Sequence, residues 1–131
     1  MDWLYVIGRI LFGMIFIGSG IDHLMKLDAM AQYAEAKGVG GAKGMVAIGS
    51  VAMLLGGLSV ILGFYMEIGT WLLAFFLLGA AMKMHAFWKE TDPGAQQNEM
   101  AHFMKNMSMA GAAIMLYWMV QTYGYGPMTL G

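Results

Sequence analysis

Between Gly44 and Met66 the chain carries no charged side chain. A helix needs about 20 mostly apolar residues, at roughly 1.5 Å rise each, to cross a bilayer, and this stretch supplies them. Inside hydrocarbon no water can satisfy a backbone N–H or C=O, so such a segment must bond its own backbone as a helix. Three further runs are mostly apolar: 3–21, interrupted only by Arg9, then 68–88, with Lys83 near its end, and 105–123, which opens on Lys105. The expected fold is therefore all-α, a single integral membrane domain over 1–131 built as a four-helix bundle with short interfacial helices.

Composition agrees. Of 131 residues, 60% are apolar and 11% charged, against about 25% charged in an ordinary soluble domain. Such a chain cannot cover itself with a wetted surface, so its first partner is the lipid bilayer. The formal net charge of −1 gives no basic stripe, which excludes nucleic acid as a partner. There is no cysteine, hence no disulfide and no thiol chemistry. The opening "MDWLYVIGRIL" lacks the basic leader and small-residue cleavage site of a secretory signal, and reads as a retained span.

The lysines set an orientation. Lys26, Lys37 and Lys43 lie between the first two spans, and Lys83, Lys89 and Lys105 lie around the last connection. The opposite side offers only Arg9. The positive-inside rule then puts both connections in the cytoplasm and both termini outside, in the plasma (inner) membrane. The first connection should hold a short surface helix from Asp28, its N-cap, to Lys37, closed by Gly38. Glu67, Gly69 and Thr70 mark a tight turn between the second and third spans, and Pro93-Gly94 a break after the third. The stretch "AQQNEMAHFMKNM" sets Met100, Phe103, Met104 and Met107 on one helical face and Glu99, His102 and Asn106 on the other, and should run on into the fourth span.

Apolar faces do not drive helices together in lipid, so stripes of small residues mark where backbones approach. The second span has Gly49, Ala52, Gly56, Ser59 and Gly63. The first has Arg9, Gly13, Phe16, Gly20 and His23, and the fourth Asn106, Ala110, Ala113, Tyr117 and Gln121. Arg9 must be accommodated, because a basic residue at a helix centre costs roughly 2.5–3.5 kcal/mol on insertion scales. It either snorkels to the outer interface or forms a structural ion pair with Glu67.

This topology gathers the polar chemistry at one interface. Asp22, His23 and Lys26 close the first span there, His85, Trp88 and Lys89 the third, and Glu99, His102, Lys105 and Asn106 open the fourth. The segments "GRILFGMIFIGSGIDHLMK", "YAEAKGV", "MHAFWK" and "EMAHFMKNMSMAGAAIML" together resemble the DoxX family of small four-helix integral membrane proteins, from about Tyr5 to Tyr117. The resemblance implies a membrane subunit of a quinone-linked redox complex, an oxidoreductase component rather than a stand-alone enzyme. It fixes no substrate.

On the residues themselves, a quinone head needs hydrogen-bond donors, an aromatic wall and groups that pass protons to water. Asp22, His23, His85, Trp88, Glu99, His102, Lys105 and Asn106 are the candidates, with histidine titrating in the useful range. The competing reading has the same residues capping helices and binding lipid phosphate, in a structural or assembly subunit that packs against other subunits or a second copy. A small-molecule or lipid carrier is a weaker alternative, since only Ser59 and Tyr117 lie as polar groups near the midplane. No metal site is expected. Glu99-x-x-His102 is half of the paired motif that di-iron bundles use, three histidines have no ligand spacing for metal or haem, and the 16 methionines are spread as packing residues.

Overall fold

The computed structural model describes residues 1–131 as helices joined by short connections, without strands. In chain order they are α1 (Asp2–Met25), α2 (Leu27–Ala36), α3 (Ala42–Leu62), α4 (Met66–Met84) and α5 (Pro93–Tyr123), with a 3-10 turn at Phe87–Lys89 between the last two. The fold class is the expected one. α1, α3 and the segment Met66–Lys89 are each long and apolar enough to cross a membrane. α5 has the length, 31 residues, but falls short in apolarity because it keeps Asn106, Ser108 and Gln121 and a polar first third. It nevertheless runs the full height of the bundle: Glu99 near its start meets α2 and the end of α4, while the residues after its end reach α1 and the α3–α4 turn.

The helices pack α1 on α3, α3 on α4 and α4 on α5, with α2 laid across the start of α3. The stripe expected on α1 is the one buried: Arg9, Gly13, Phe16 and Gly20. A Cβ on Gly13 would stand 2.8 Å from the Gly57 carbonyl, and one on Gly57 2.9 Å from that of Gly13, so two bare backbones touch here. Phe16, Met53, Val60, Leu73, Ala74, Leu77, Ala110 and Ala113 form the core. The opposite surfaces stay apolar and open, with Leu11, Ile48, Phe75 and Met115 each more than 60% exposed, which suits lipid and not water. On α5 the inward stripe ends at Val120, and Gln121 is exposed. The expected stripe is spaced 4-3-4-4, and at about 100° per residue its last member stands roughly 60° round the helix from its first.

Local signals fixed most ends. α2 closes in a Schellman motif: Gly38, at φ 86°, donates its N–H to Glu35, and Val39 donates to Ala34, which satisfies two orphan carbonyls. Lys26 rather than Asp28 is its N-cap, and Asp28 instead faces Lys43 at 3.0 Å. Pro93 and Gly94 do end the preceding segment, but as the first turn of α5, with Asp92 Oδ2 accepting from the Ala95 N–H at 2.9 Å. This is the Pro-after-cap start that a helix favours. The turn between α3 and α4 sits earlier than expected, at 63–65. Gly63 at φ 66° and Tyr65 at φ 50° make it, because the left-handed backbone at Gly63 ends α3. Glu67, Gly69 and Thr70 lie inside α4, where Gly69 packs on Ser59.

Candidate functional site

α5 is amphipathic in its first third, and it turns its polar face inward. Glu99 and Asn106 are each 6% exposed, whereas Met100, Met104 and Met107 point out. That inversion brings Glu99 against two other elements. One of its oxygens, Oε2, stands 2.7 Å from His85 Nδ1 at the end of α4. The other accepts from the Tyr33 hydroxyl of α2 at 3.1 Å and lies 3.4 Å from Lys37 Nζ. Lys37 also holds Glu90, at 3.1 Å. The His102 ring stacks on that of His85 at 5.0 Å, one helical turn beyond Glu99. Phe87, Trp88 and Phe103 meet edge to face beside them, at 5.2 to 5.6 Å.

The chemistry of the group follows from its charges. Burial alone would push the Glu99 carboxyl up, but the donors His85 and Tyr33 and the charge of Lys37 outweigh it, so its pKa lies below the usual carboxylate range. Burial would lower Lys37, yet Glu90, Tyr33 and Glu99 together raise it. Burial first, then the neighbouring Glu99, raises the Tyr33 phenol. At neutral pH, Glu99 is thus an anion, Lys37 a cation and Tyr33 a neutral donor. With Glu99 ionised, the proton between it and His85 belongs to Nδ1, and Nε2 is the ring position left to exchange protons.

The expected site is brought together only in part. His85, Trp88, Glu99, His102 and Asn106 share one end of α4 and α5, and Lys105 is exposed beside them. Asp22 and His23 do not join. α1 packs on α3 rather than on α4 or α5, and Asp22 pairs with Lys26 one turn along its own helix, at 2.9 Å. Tyr33, Lys37 and Glu90 were not foreseen. The signal for the first two was in the sequence: a phenol and a lysine at i and i+4 on a short alanine-rich helix, where little else is polar on that face. No three metal-ligating side chains are arranged to hold an ion.

The opposite end of the bundle holds the second buried charge. Arg9 is 3% exposed and does not reach Glu67. Its Nη2 donates to the Met128 carbonyl at 2.6 Å and its Nη1 to that of Pro127 at 3.4 Å, with the Tyr5 ring 5.0 Å away. Glu67 accepts instead from the Tyr125 hydroxyl, at 2.5 Å. The reason is the segment after α5, which the sequence left unread. Residues 124–131 fold back over this end as a strap. Leu130 and Gly131 donate backbone N–H groups to Leu62 and Gly63, and Tyr125 accepts from the Met66 N–H at 3.2 Å. Tyr5 donates to the Tyr125 carbonyl at 2.8 Å. The strap takes the positions that an Arg9–Glu67 pair would have used.

The sequence model of the DoxX family matches residues 4–86, which takes in α1 to α4 and His85 but stops short of Glu99 and His102. The Escherichia coli (strain K12) protein named "Inner membrane protein YphA" is 32% identical over 113 residues, covering 86% of this chain and 80% of that protein. No solved structure matches.

Proposed function

The chain belongs to the DoxX family, and from that premise we propose that it is a membrane subunit of a quinone-linked redox complex whose proton-handling site is the Glu99 cluster. α1, α3, α4 and α5 serve as its four spans, with the lysine-bearing connections in the cytoplasm and both termini outside. The name of the Escherichia coli relative supports a place in the inner membrane. One observation carries the reading: an anionic carboxylate, 6% exposed, is gripped by His85, Tyr33 and Lys37 next to the aromatic wall of Phe87, Trp88 and Phe103.

The residues suit a quinone head. A bound quinone would supply carbonyls that take up electrons and protons. This chain would supply the flat wall, a donor from His102 to orient a carbonyl, and a proton relay at His85: burial keeps the ring neutral, Glu99 holds its proton on Nδ1, and the bare Nε2 takes up a proton from the aqueous side and passes it on. Asn106 continues the donor line inward on α5.

A structural reading is favoured by a different feature of the same cluster. Glu99 is already satisfied by three donors from this chain, which is how a buried carboxylate that only ties α2, α4 and α5 together would look. The two separate in one experiment. Purify the complex in native lipid and assay bound quinone, complex abundance and turnover for wild type, His85→Ala and Glu99→Gln. The redox reading expects lost turnover per complex with abundance kept. Altered abundance with unchanged turnover selects the structural subunit, and a stable, quinone-free, partner-free protein sinks the redox reading.

A further inference from the structure

The strap covers a cation without matching its charge. Arg9 is 3% exposed, forms no salt bridge, and spends its hydrogen bonds on two neutral carbonyls, one of them long at 3.4 Å. Its Nε is buried with no partner. A guanidinium offers five donors in a fixed fork that matches a carboxylate or phosphate, and bonds to an ionised acceptor are roughly twice as strong as those to a neutral one. The Pro127 and Met128 carbonyls therefore stand where anionic oxygens would be better placed. The space around the fork is filled by the strap itself, with Thr129 against Gly63, so a ligand reaches Arg9 only when the strap moves. Gly63 presents bare backbone to the fork, where a Cβ would come within 2.9 Å of Arg9 Nη1. Tyr5 and Tyr125 bring hydroxyls. Glu67 is the one unfavourable neighbour, and the Tyr125 hydroxyl donates to its Oε2.

Beyond the Tyr125 bonds to Tyr5, Met66 and Glu67, little ties the strap to the body of the bundle. Two backbone bonds join it to Leu62 and Gly63, Met128 and Leu130 are more than 70% exposed, and Met128 sits at φ 55°, where a side chain with a Cβ is strained. We infer that Arg9 is a recognition site for an anionic oxygen group, a phosphate or a carboxylate, which enters by displacing the C-terminal strap. The phosphate could belong to a lipid headgroup or to a solute.

The absence of cysteine makes a labelling test clean. Spin labels on Phe64→Cys and Met128→Cys in the full chain report the strap's distance from the α3–α4 turn. Use nanodiscs of zwitterionic phosphatidylcholine, the same discs with added inorganic phosphate or acetate, and discs of anionic phosphatidylglycerol. The open population should rise about fivefold with an anion of the right kind, as expected when a ligand binds one state better, and Arg9→Gln should abolish the rise. Opening in the anionic discs alone assigns the lipid, and opening with phosphate or acetate alone assigns a solute. A strap that stays closed in every condition overturns the inference, as does equal opening in Arg9→Gln. Should that variant fail to fold, Leu130→Pro removes the N–H that the Leu62 carbonyl accepts, loosens the strap while sparing Arg9 and Tyr125, and should tighten anion binding about tenfold, because a competing closed state is weakened. No tightening there also overturns it.

Discussion

At the end of the bundle where α2 meets α4 and α5, a buried carboxylate is held by Tyr33 and Lys37 of α2 and by His85 after α4. At the other end, a buried guanidinium is held by two carbonyls of the strap and the face of Tyr5. The first arrangement matches charge with charge and is tied to the body of the bundle. The second matches charge with dipole and depends on a segment that packs along the surface. Burial costs each ion several kcal/mol, and only partners that compensate it fully keep the ion in place. The difference teaches that burial alone does not sort these residues by role. Glu99 is compensated from within, so its neighbours can exchange protons around a fixed charge. Arg9 is under-compensated, so it stays receptive.

The largest effect should come from removing the fixed charge. Glu99→Ala leaves Lys37 with Glu90 alone and the His85 Nδ1 and Tyr33 hydroxyl without their acceptor, and should destabilise the protein by about 3 kcal/mol, read as a fall in the thermal unfolding midpoint in detergent. Glu99→Gln keeps the shape and should cost less. An effect below that of Tyr125→Phe would break the contrast between the two ends.

Acid tests the same charge by titration. The Glu99 pKa is lowered on folding, so its stabilisation is present above the ordinary carboxylate value, about 4.3, and is lost as pH falls through its lower folded value. Lys37 is raised, so its share is present below about 10.4 and is lost only as pH rises through the higher folded value. The melting midpoints of wild type and Glu99→Gln should therefore lie well apart at neutral pH and converge as pH falls below the carboxylate range. A separation that stays constant would mean that the Glu99 charge does not tie this end together.

At the strap the expected loss is smaller. Tyr125→Phe deletes a hydroxyl that donates to Glu67 and accepts from the Met66 N–H, worth about 1 kcal/mol for each bond. The loss should be local: amide exchange should quicken over residues 124–131 and at Met66 while the Glu99 end is unchanged. Exchange that quickens equally at both ends would show that the two are one cooperative unit.

How much of this the sequence carried depends on the range of the signal. The first three apolar runs, the α1 stripe and the Gly38 stop are local, and each is found in a helix or helix end because composition and backbone geometry act on each helix separately. Glu99, His102 and Asn106 were legible as one face of a helix. That this face points inward follows only once the methionines are seen to face lipid. Tyr33 and Lys37 could be reached only by knowing that α2 lies against α5, and the exclusion of Asp22 and His23 only by knowing that α1 does not. The strap was illegible for the same reason. "YGYGPMTLG" has no period, and its structure is dictated by Arg9 and Glu67, more than fifty residues away in sequence.

The smallest expected effect lies outside both buried charges, and it sets the scale for them. Asp28 and Lys43 approach to 3.0 Å across the connection between α2 and α3, but their side chains remain 82% and 66% exposed. Water and salt screen such a pair, and holding two mobile side chains together costs entropy, so exposed pairs are worth about 0–1 kcal/mol. Asp28 also lies in the first turn of α2, where a negative charge favours the helix by a few tenths of a kcal/mol. Asp28→Asn should thus lower stability by about 0.5 kcal/mol, and raising the salt concentration should shrink the difference further. If the loss instead rivals that of Glu99→Ala, then exposure does not decide what an ion pair is worth in this protein, and the contrast drawn between its two ends fails with it.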